Sequence, residues 1–286
     1  MLSDQIDITK ASGKVETFSD EKLRQSLINS GASAEVAESI ALELQPTLYP
    51  GIPTKKIYRF AHNMLRKRSA PMAAKYHLKK GIMELGPSGY PFERFVGELL
   101  KNQGYFVRLG EIVRGNCVNH EIDVIAEKDH HHFMIECKYH NHQGIICNVK
   151  IPLYMQARFK DVEAEWLKIP GHGAKFHQGW VVTNTRFSSD AIQYGTCAGL
   201  NLLGWDYPLK KSLKDQIDKL GLYPVTCLTT LTKFEKIRLV EKNIILCKDV
   251  CNNPSYLTQI GINELRMENI LSECYQLCNK LPIPKP

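Results

Sequence analysis

The sequence lacks long apolar runs, low-complexity tracts and an even set of cysteines. Its apolar stretches, such as Ile244–Cys247, are far shorter than the ~20 residues of a membrane-spanning helix. The first residues, Met1–Asp4, carry an acid where a secretory signal has basic residues and an apolar core. Nine cysteines at scattered positions are typical of reduced thiols rather than of a disulfide framework. We therefore expect a cytoplasmic protein without a membrane span.

The composition is that of an ordinary globular protein with a basic excess. Of the 286 residues, 43% are hydrophobic and 23% are charged, and the length exceeds that of one typical domain. The net charge of +7 is divided as +4 over residues 1–88, zero over residues 89–205 and +3 over residues 206–286. A basic chain suits an anionic partner such as a nucleotide or a nucleic acid, although charge that maintains solubility accounts for the excess equally well.

The clearest break in the chain is Gly86–Pro91, where two prolines and two glycines cannot continue a helix. Before it, residues 5–19 alternate apolar and polar side chains as in a hairpin, and apolar periodicity predicts four helices up to Met83. After it, strand-like segments mixed with helices predict a sheet of four or five strands. Short helices are predicted from about Lys210, followed by a Pro-rich tail, Leu281–Pro286.

The predicted fold class is therefore a multi-domain α/β protein with three domains. Residues 1–88 are expected to form a hairpin with helices, and residues 89–205 an α/β domain built on a sheet. Residues 206–286 are expected to form a small helical module. Each segment has a length within the range of independent domains.

Two acids and a lysine share one face of the predicted central sheet. Strand alternation places Glu136 and Lys138 on the same side of one strand, with the apolar Ile135 on the other side. The preceding strand contains Asp123, which an antiparallel pairing brings beside Glu136. Buried carboxylates are costly unless a cation satisfies them, and their oxygens select a hard ion, Mg²⁺ or Mn²⁺. The alternative is a surface face of salt bridges on a half-exposed sheet.

Further segments accompany this set along the chain: Pro91-Phe92-Glu93, Gly104-Tyr105 and Thr183–Ser188. Together with Glu121-Ile122-Asp123 and Glu136-Cys137-Lys138, they resemble the PD-(D/E)xK nuclease superfamily, and in particular its Mrr-like restriction endonuclease branch. The resemblance spans roughly residues 89–205. Many Mrr-like members have glutamine where this chain has Glu136, so the match is to the broader superfamily pattern.

The resemblance implies a role for each residue of the motif. Asp123 and Glu136 would bind the metal ion, and the backbone carbonyl of Cys137 would complete its shell. Lys138 would orient or help to deprotonate the attacking water and would stabilise charge on the phosphate. A metal-bound water is a better nucleophile, and the cation neutralises charge that develops on a phosphodiester.

Two residues outside the motif strands complete the implied site. Glu93 would approach from the first helix as an outer ligand or through water. Gln156, on the helix after the motif, would hold the site or contact the DNA backbone.

A second set of motifs lies in the N-terminal segment: Ile8-Thr9-Lys10, Gly13–Glu16, Glu21-Lys22-Leu23, Leu48–Thr54 and Tyr76–Lys80. They resemble the ATP-cone, a regulatory nucleotide-binding domain. By that resemblance Lys10 and Lys22 would contact phosphates, Glu16 the base or ribose, and Thr54 the adenine. Lys79 or Lys80 would add a phosphate contact.

The N-terminal segment departs from the family's usual turn at one place. Ala11-Ser12 stands where the ATP-cone has a charged donor, which bears on affinity and on the preference between ATP and dATP. No Gly-x₄-Gly-Lys-Ser/Thr loop occurs in the sequence, so the domain is expected to sense a nucleotide rather than to hydrolyse it. The alternative is a basic module whose lysines are simply solvated.

The C-terminal segment resembles a degenerate helix-hairpin-helix over Leu228–Leu239, Glu241–Asn243 and Ile244–Val250. A second, partial copy of the motif is suggested at Leu257–Ile262. Such hairpins bind the nucleic-acid backbone through main-chain N–H groups. A helical packing or dimerisation module explains the same residues equally well.

Histidines and cysteines form two further groups with candidate metal chemistry. His130-His131-His132 lies in a predicted hairpin, where solvated turn residues are expected and a zinc site is the weaker alternative. Four cysteines, Cys247, Cys251, Cys274 and Cys278, form two i, i+4 pairs. They are expected to be buried small side chains, with a four-thiolate metal site as the alternative.

Together these features predict a nucleotide-regulated, Mg²⁺- or Mn²⁺-dependent DNA endonuclease that acts in restriction or defence against foreign DNA. ATP or dATP would be the regulatory ligand, and a homodimer or higher homo-oligomer is expected because cutting both strands needs two sites. The alternatives are a non-cleaving, nucleotide-sensing DNA-binding protein and a structure-specific junction nuclease in DNA repair.

Overall fold

The structure, a computed structural model, describes residues 6–171 and 176–278. The predicted Pro-rich tail, Leu281–Pro286, lies outside the described residues. The chain divides into two compact units. One combines the N-terminal residues as far as Ile82 with the C-terminal residues from Tyr223, and the other extends from Met83 to Leu222. The division into three domains, at 88/89 and 205/206, stays a prediction.

The first unit begins with the predicted hairpin and four helices. Its elements are β1 (Asp7–Thr9), β2 (Val15–Thr17), α1 (Asp20–Ile28), α2 (Ala34–Leu44), β3 (Ile52–Pro53), α3 (Thr54–Arg68) and α4 (Ala70–Met83). β1 pairs antiparallel with β2 and parallel with β3. Ser19 caps α1, since its hydroxyl accepts a hydrogen bond from the backbone N–H of Lys22 at 3.2 Å. The cap fixes where the hairpin ends and the first helix begins.

The second unit is a sheet with helices packed against it. Its elements are α5 (Tyr90–Lys101), β4 (Phe106–Arg114), β5 (Asn119–Lys128), β6 (His131–Lys138), β7 (Ile146–Cys147), α6 (Lys150–Trp166), β8 (Phe176–Thr183), β9 (Arg186–Phe187), α7 (Ser189–Cys197), β10 (Asn201–Leu203) and α8 (Leu213–Leu220). The five-stranded sheet has the order β10-β8-β6-β5-β4. β4, β5 and β6 are antiparallel neighbours, whereas β6, β8 and β10 are parallel. The prediction of an α/β core with four or five strands is confirmed.

Helix α6 covers the sheet face that carries the even-numbered residues of β6. Met134 and Ile125 share an apolar core with Met155 and Phe159 of this helix. Helix α5 packs against β4, β5 and β6 through a second apolar set, in which the ring of Phe92 lies 5.6 Å from that of Tyr139. Residues 136 and 138 of β6 therefore point to the side on which α6 lies.

The C-terminal residues of the first unit are helical. They form α9 (Lys233–Glu241), α10 (Cys247–Asn252), α11 (Ser255–Gln259) and α12 (Glu264–Leu277). The short helices predicted for this region are confirmed. A close approach at Gly81 of α4 joins this segment to the N-terminal part, because a Cβ there would lie 2.5 Å from the sulfur of Cys227. No helix in the described ranges is long and apolar enough to cross a membrane.

Candidate active site

Asp123 and Glu136 lie opposite each other on neighbouring strands. β5 and β6 pair antiparallel with Val124 opposite Ile135, and the same register sets Asp123 opposite Glu136. The turn that joins the strands contains Asp129 at a φ of 53°, in the left-handed region that aspartate tolerates. The backbone N–H of Cys137 donates to Oδ2 of Asp123 at 2.7 Å. The predicted antiparallel pairing, which brings the two acids together, is confirmed.

The acids of this region raise one another's pKa. Burial raises the pKa of Asp123 to about 7, Glu136 and Glu93 add to the rise, and the N–H of Cys137 opposes it. The pKa of Glu93 is raised by burial and then by Glu121 and Glu136. Glu93, at the start of α5, therefore acts electrostatically on the same site as the two strand acids. Carboxylates held this close in a half-buried place are stabilised by a cation.

Lys138 ends β6, and hydrogen bonds fix the backbone that follows it. Its carbonyl accepts a hydrogen bond from Oγ1 of Thr183 at 2.7 Å. The side chain of the buried Asn184 binds both backbone groups of His140, accepting from its N–H at 2.9 Å and donating to its C=O at 2.7 Å. The hydroxyl of Tyr139 donates to the carbonyl oxygens of Met83 and Gly86. The end of the strand is thus held in place, and with it the position of the lysine.

Arg158 of α6 enters the site, and sequence reasoning missed it. Its guanidinium donates to Oε2 of Glu136 and to the backbone carbonyl oxygen of Glu121. Its side chain is 11% exposed. The signal that could have found it is its position on the flank of the buried stripe formed by Met155, Phe159 and Val162, which faces the sheet.

Gln156, also on α6, has its side-chain oxygen buried without a hydrogen-bond partner among the described residues. A buried amide oxygen in that condition is destabilising unless a water or a ligand satisfies it. Its place on the helix that also carries Arg158 puts it on the element that covers the acid pair.

The donor set fits a hard divalent cation held mainly by oxygen. No group of three or more His, Cys, Asp or Glu side chains in the described part of the chain is arranged to hold a metal ion. A cation here would rest on two carboxylates, a backbone carbonyl and water, which is how Mg²⁺ is usually bound. The thiol of Cys137 is buried, and burial followed by the charge of Asp123 raises its pKa well above the usual value. Only the backbone of Cys137 is therefore suited to the predicted role.

The other predicted metal groups look different in the structure. His130 and His131 are exposed as predicted, but the prediction of a solvated side chain is wrong for His132, which is 1% exposed and packs 4.1 Å from the ring of Trp166. Cys247, Cys251 and Cys274 are buried, and the thiol of Cys274 interacts with the thiols of the other two. They form no metal-holding group within the described ranges.

A separate cleft of about 210 Å³ lies in the first unit. Three of the residues that the sequence singled out for nucleotide binding, Glu16, Lys22 and Thr54, line it. The rings of Tyr58 and Tyr76, also in its lining, stack at 5.2 Å with an angle of 7° between their planes. The structure thus brings together residues of the hairpin, the start of α1 and the start of α3.

Lys10 and Lys80, which were also predicted to contact the nucleotide, are placed differently. Lys10 forms an ion pair with Glu16, with 2.6 Å between Nζ and Oε2, so it reaches the cleft through a lining residue. The hydrogen bond from Lys10 is the main cause of the lowered pKa of Glu16. Lys80 lies on α4 and is not among the residues that line the cleft.

Fold and site define a chain with a restriction endonuclease-like domain, and comparison with known proteins agrees. A family model described as restriction endonuclease matches residues 86–206, and one described as AF1548-like, C-terminal, matches residues 223–278. An uncharacterized protein of Archaeoglobus fulgidus is 37% identical over 179 residues, which is 62% of this chain and 97% of that protein. The crystal structure of the protein of unknown function AF1548 aligns with a TM-score of 0.54 at 35% identity, over 67% of this chain and 99% of that one.

This chain belongs to the AF1548-like family. The match to the restriction endonuclease model supports a hydrolase that acts on DNA, and the Mrr-like part of the sequence prediction is confirmed at that level. The two matched segments do not include residues 1–85, so the ATP-cone resemblance rests on its own motifs.

Proposed function

We propose that this protein is a Mg²⁺-dependent DNA endonuclease regulated by an adenine nucleotide. The observation that carries the proposal is the pair Asp123 and Glu136 on adjacent antiparallel strands, with Lys138 two residues further along β6. Asp123 is half-buried and its Oδ2 accepts from the backbone N–H of Cys137, which favours a cation-binding pair over a surface face of salt bridges.

Each residue of the site has a role in the proposal. Asp123, Glu136 and the backbone carbonyl of Cys137 would hold the cation, and Glu93 would support them from α5, directly or through water. A bound divalent cation would supply an activated water and would neutralise charge on the phosphodiester. Lys138 orients the water and stabilises the developing negative charge.

Lys138 gives the first test of the catalytic proposal. Lys138→Met keeps the aliphatic stem and removes the charge, so nicking of supercoiled plasmid in Mg²⁺ should fall by about 100-fold or more, the scale of one lost transition-state contact. Lys168→Met is the matched control, since Lys168 is exposed, lies just after α6 and pairs with Glu165 in the last turn of that helix. Equal nicking by both variants and the wild type would assign the activity to another site or to a contaminant.

The regulatory part of the proposal is that the cleft in the first unit binds ATP or dATP. Its support is the convergence of Glu16, Lys22 and Thr54 on one cleft whose wall also carries stacked aromatic rings. A bound nucleotide would bias an oligomeric equilibrium of the nuclease only if the two states differ in affinity for it.

The rival function is a DNA-binding protein that senses the nucleotide and does not cleave. The two functions differ in what happens to the DNA. A gel shift of DNA without nicks supports the rival, and Mg²⁺-dependent nicks support the nuclease. Comparison of branched with linear substrates distinguishes a junction nuclease from one that acts on duplex DNA.

A further inference from the structure

Arg158 contacts two neighbouring strands at once from the helix that covers them. One guanidinium nitrogen donates to Oε2 of Glu136 on β6, and another donates to the backbone carbonyl oxygen of Glu121 on β5. The planar guanidinium presents its donors in a fixed fork, so two anchors define the orientation of the group. The position of Oε2 of Glu136 is then fixed relative to β5, the strand that carries Asp123.

In each acid of the pair, one carboxylate oxygen accepts a hydrogen bond from the protein. Oδ2 of Asp123 accepts from the N–H of Cys137 at 2.7 Å, and Oε2 of Glu136 accepts from Arg158. Within the described ranges, these two bonds are the ones that the carboxylates accept, and Oδ1 of Asp123 and Oε1 of Glu136 accept none. Each carboxylate therefore has one oxygen anchored by the protein and one available to a ligand, the arrangement that one-oxygen coordination by each acid requires.

The ring of Tyr154 supports the guanidinium from another direction. The carbon centre of Arg158 lies 5.3 Å from the ring centroid of Tyr154, one helical turn earlier on α6. A cation over an aromatic face is attracted by the ring. The tyrosine is 59% exposed, so it can be changed without disturbing the core.

We propose that Arg158 is a positioning residue of the candidate active site, which anchors Oε2 of Glu136 so that the other oxygen is available to the divalent cation. The inference rests on the proposed function, because it assumes that Glu136 is a metal ligand. Its role is geometric: a lysine would keep the positive charge but would lose the two-point anchor between β5 and β6.

The test is direct Mn²⁺ binding to the full chain without DNA, measured by titration calorimetry or by electron paramagnetic resonance of the free ion. Arg158→Lys is expected to weaken Mn²⁺ binding about 10-fold or more, the range found when an outer-shell partner of a metal ligand is lost. Arg108→Lys is the matched control, since Arg108 forms an exposed ion pair with Glu127 on the same sheet. Unchanged Mn²⁺ affinity in folded Arg158→Lys would overturn the inference.

Two further variants keep the outcomes separate. Tyr154→Ala is expected to weaken Mn²⁺ binding by a smaller factor than Arg158→Lys. If Arg158→Lys fails to fold, Tyr154→Ala tests the inference in its place, and an unchanged Mn²⁺ affinity of Tyr154→Ala would then overturn it. Asp123→Asn tests the proposed function itself. If Asp123→Asn leaves Mn²⁺ binding intact, the metal site is wrong; if Asp123→Asn abolishes binding and Arg158→Lys does not alter it, only the role of Arg158 is wrong.

Discussion

At the scale of single residues, burial is the main cause of two large pKa shifts. Asp123 is the clearest case in the second unit, and His62 of α3 is the clearest in the first. Burial lowers the pKa of His62 to about 4, and the charges of His77, Lys80, Arg66 and Lys236 add to the effect. His62 therefore stays neutral in the folded chain at pH values where an exposed histidine is charged.

His62 should make the first unit less stable as the pH falls from 6.5 to 4. In this window the unfolded chain binds a proton at position 62 that the folded chain excludes, so the free energy of unfolding falls with pH. His62→Gln removes the linkage and should flatten this part of the pH profile relative to the wild type, as measured by urea unfolding at fixed pH values. His142→Gln, at an exposed position, is the control. Parallel profiles for the wild type and His62→Gln would contradict the prediction.

At the scale of elements, the alternation of apolar and polar residues along the chain predicted the strands that carry the acids of the site. Alternation along β6 put Glu136 and Lys138 on one face, and the hairpin with β5 followed from the two strand segments and the short turn between them. β4 extends as far as Arg114, because its long antiparallel pairing with β5 holds the residues after Gly110 in the sheet.

Long-range contacts were not predictable in the same way. Arg158 reaches Glu136 only because α6 packs on one particular sheet face, and His132 is buried only because Trp166 of the same helix covers it. The periodicity of one sequence does not encode which helix covers which face of the sheet. The sequence pattern therefore predicted the acids on the strands and missed Arg158, which contacts Glu136.

The cleft formed by the N-terminal hairpin and the starts of α1 and α3 is predicted to bind a nucleotide through Lys22. Lys22→Ala should weaken binding of ATP by about 10-fold or more, because a hydrogen bond to a charged group contributes roughly 1.5–3 kcal/mol. Fluorescence or calorimetric titration of the full chain measures the change. Lys67→Ala is the control, as an exposed cation in the last turn of α3 that does not line the cleft. Equal ATP affinities of Lys22→Ala and the wild type would mean that ATP binds at another place or that the protein does not bind it.

At the scale of the whole molecule, the order of segments along the chain differs from their grouping in space. The N-terminal and C-terminal residues form one unit, where Oγ1 of Thr226 donates to the carbonyl of Gly81 at 2.7 Å. The nuclease-like unit is continuous in sequence between them. Cleavage of both DNA strands needs two such units, so a symmetric dimer is the assembly that the proposal favours.

In the proposed function, DNA cleavage depends on a cation held by Asp123 and Glu136, the two carboxylates on neighbouring strands. The most direct test is the rate of plasmid nicking as a function of Mg²⁺ concentration, for the wild type, Asp123→Asn and the exposed control Asp190→Asn. We expect saturable, Mg²⁺-dependent nicking by the wild type and by Asp190→Asn, and a loss of about 100-fold or more in Asp123→Asn at every Mg²⁺ concentration. Nicking by Asp123→Asn with the same rate and the same Mg²⁺ dependence as the wild type would contradict it.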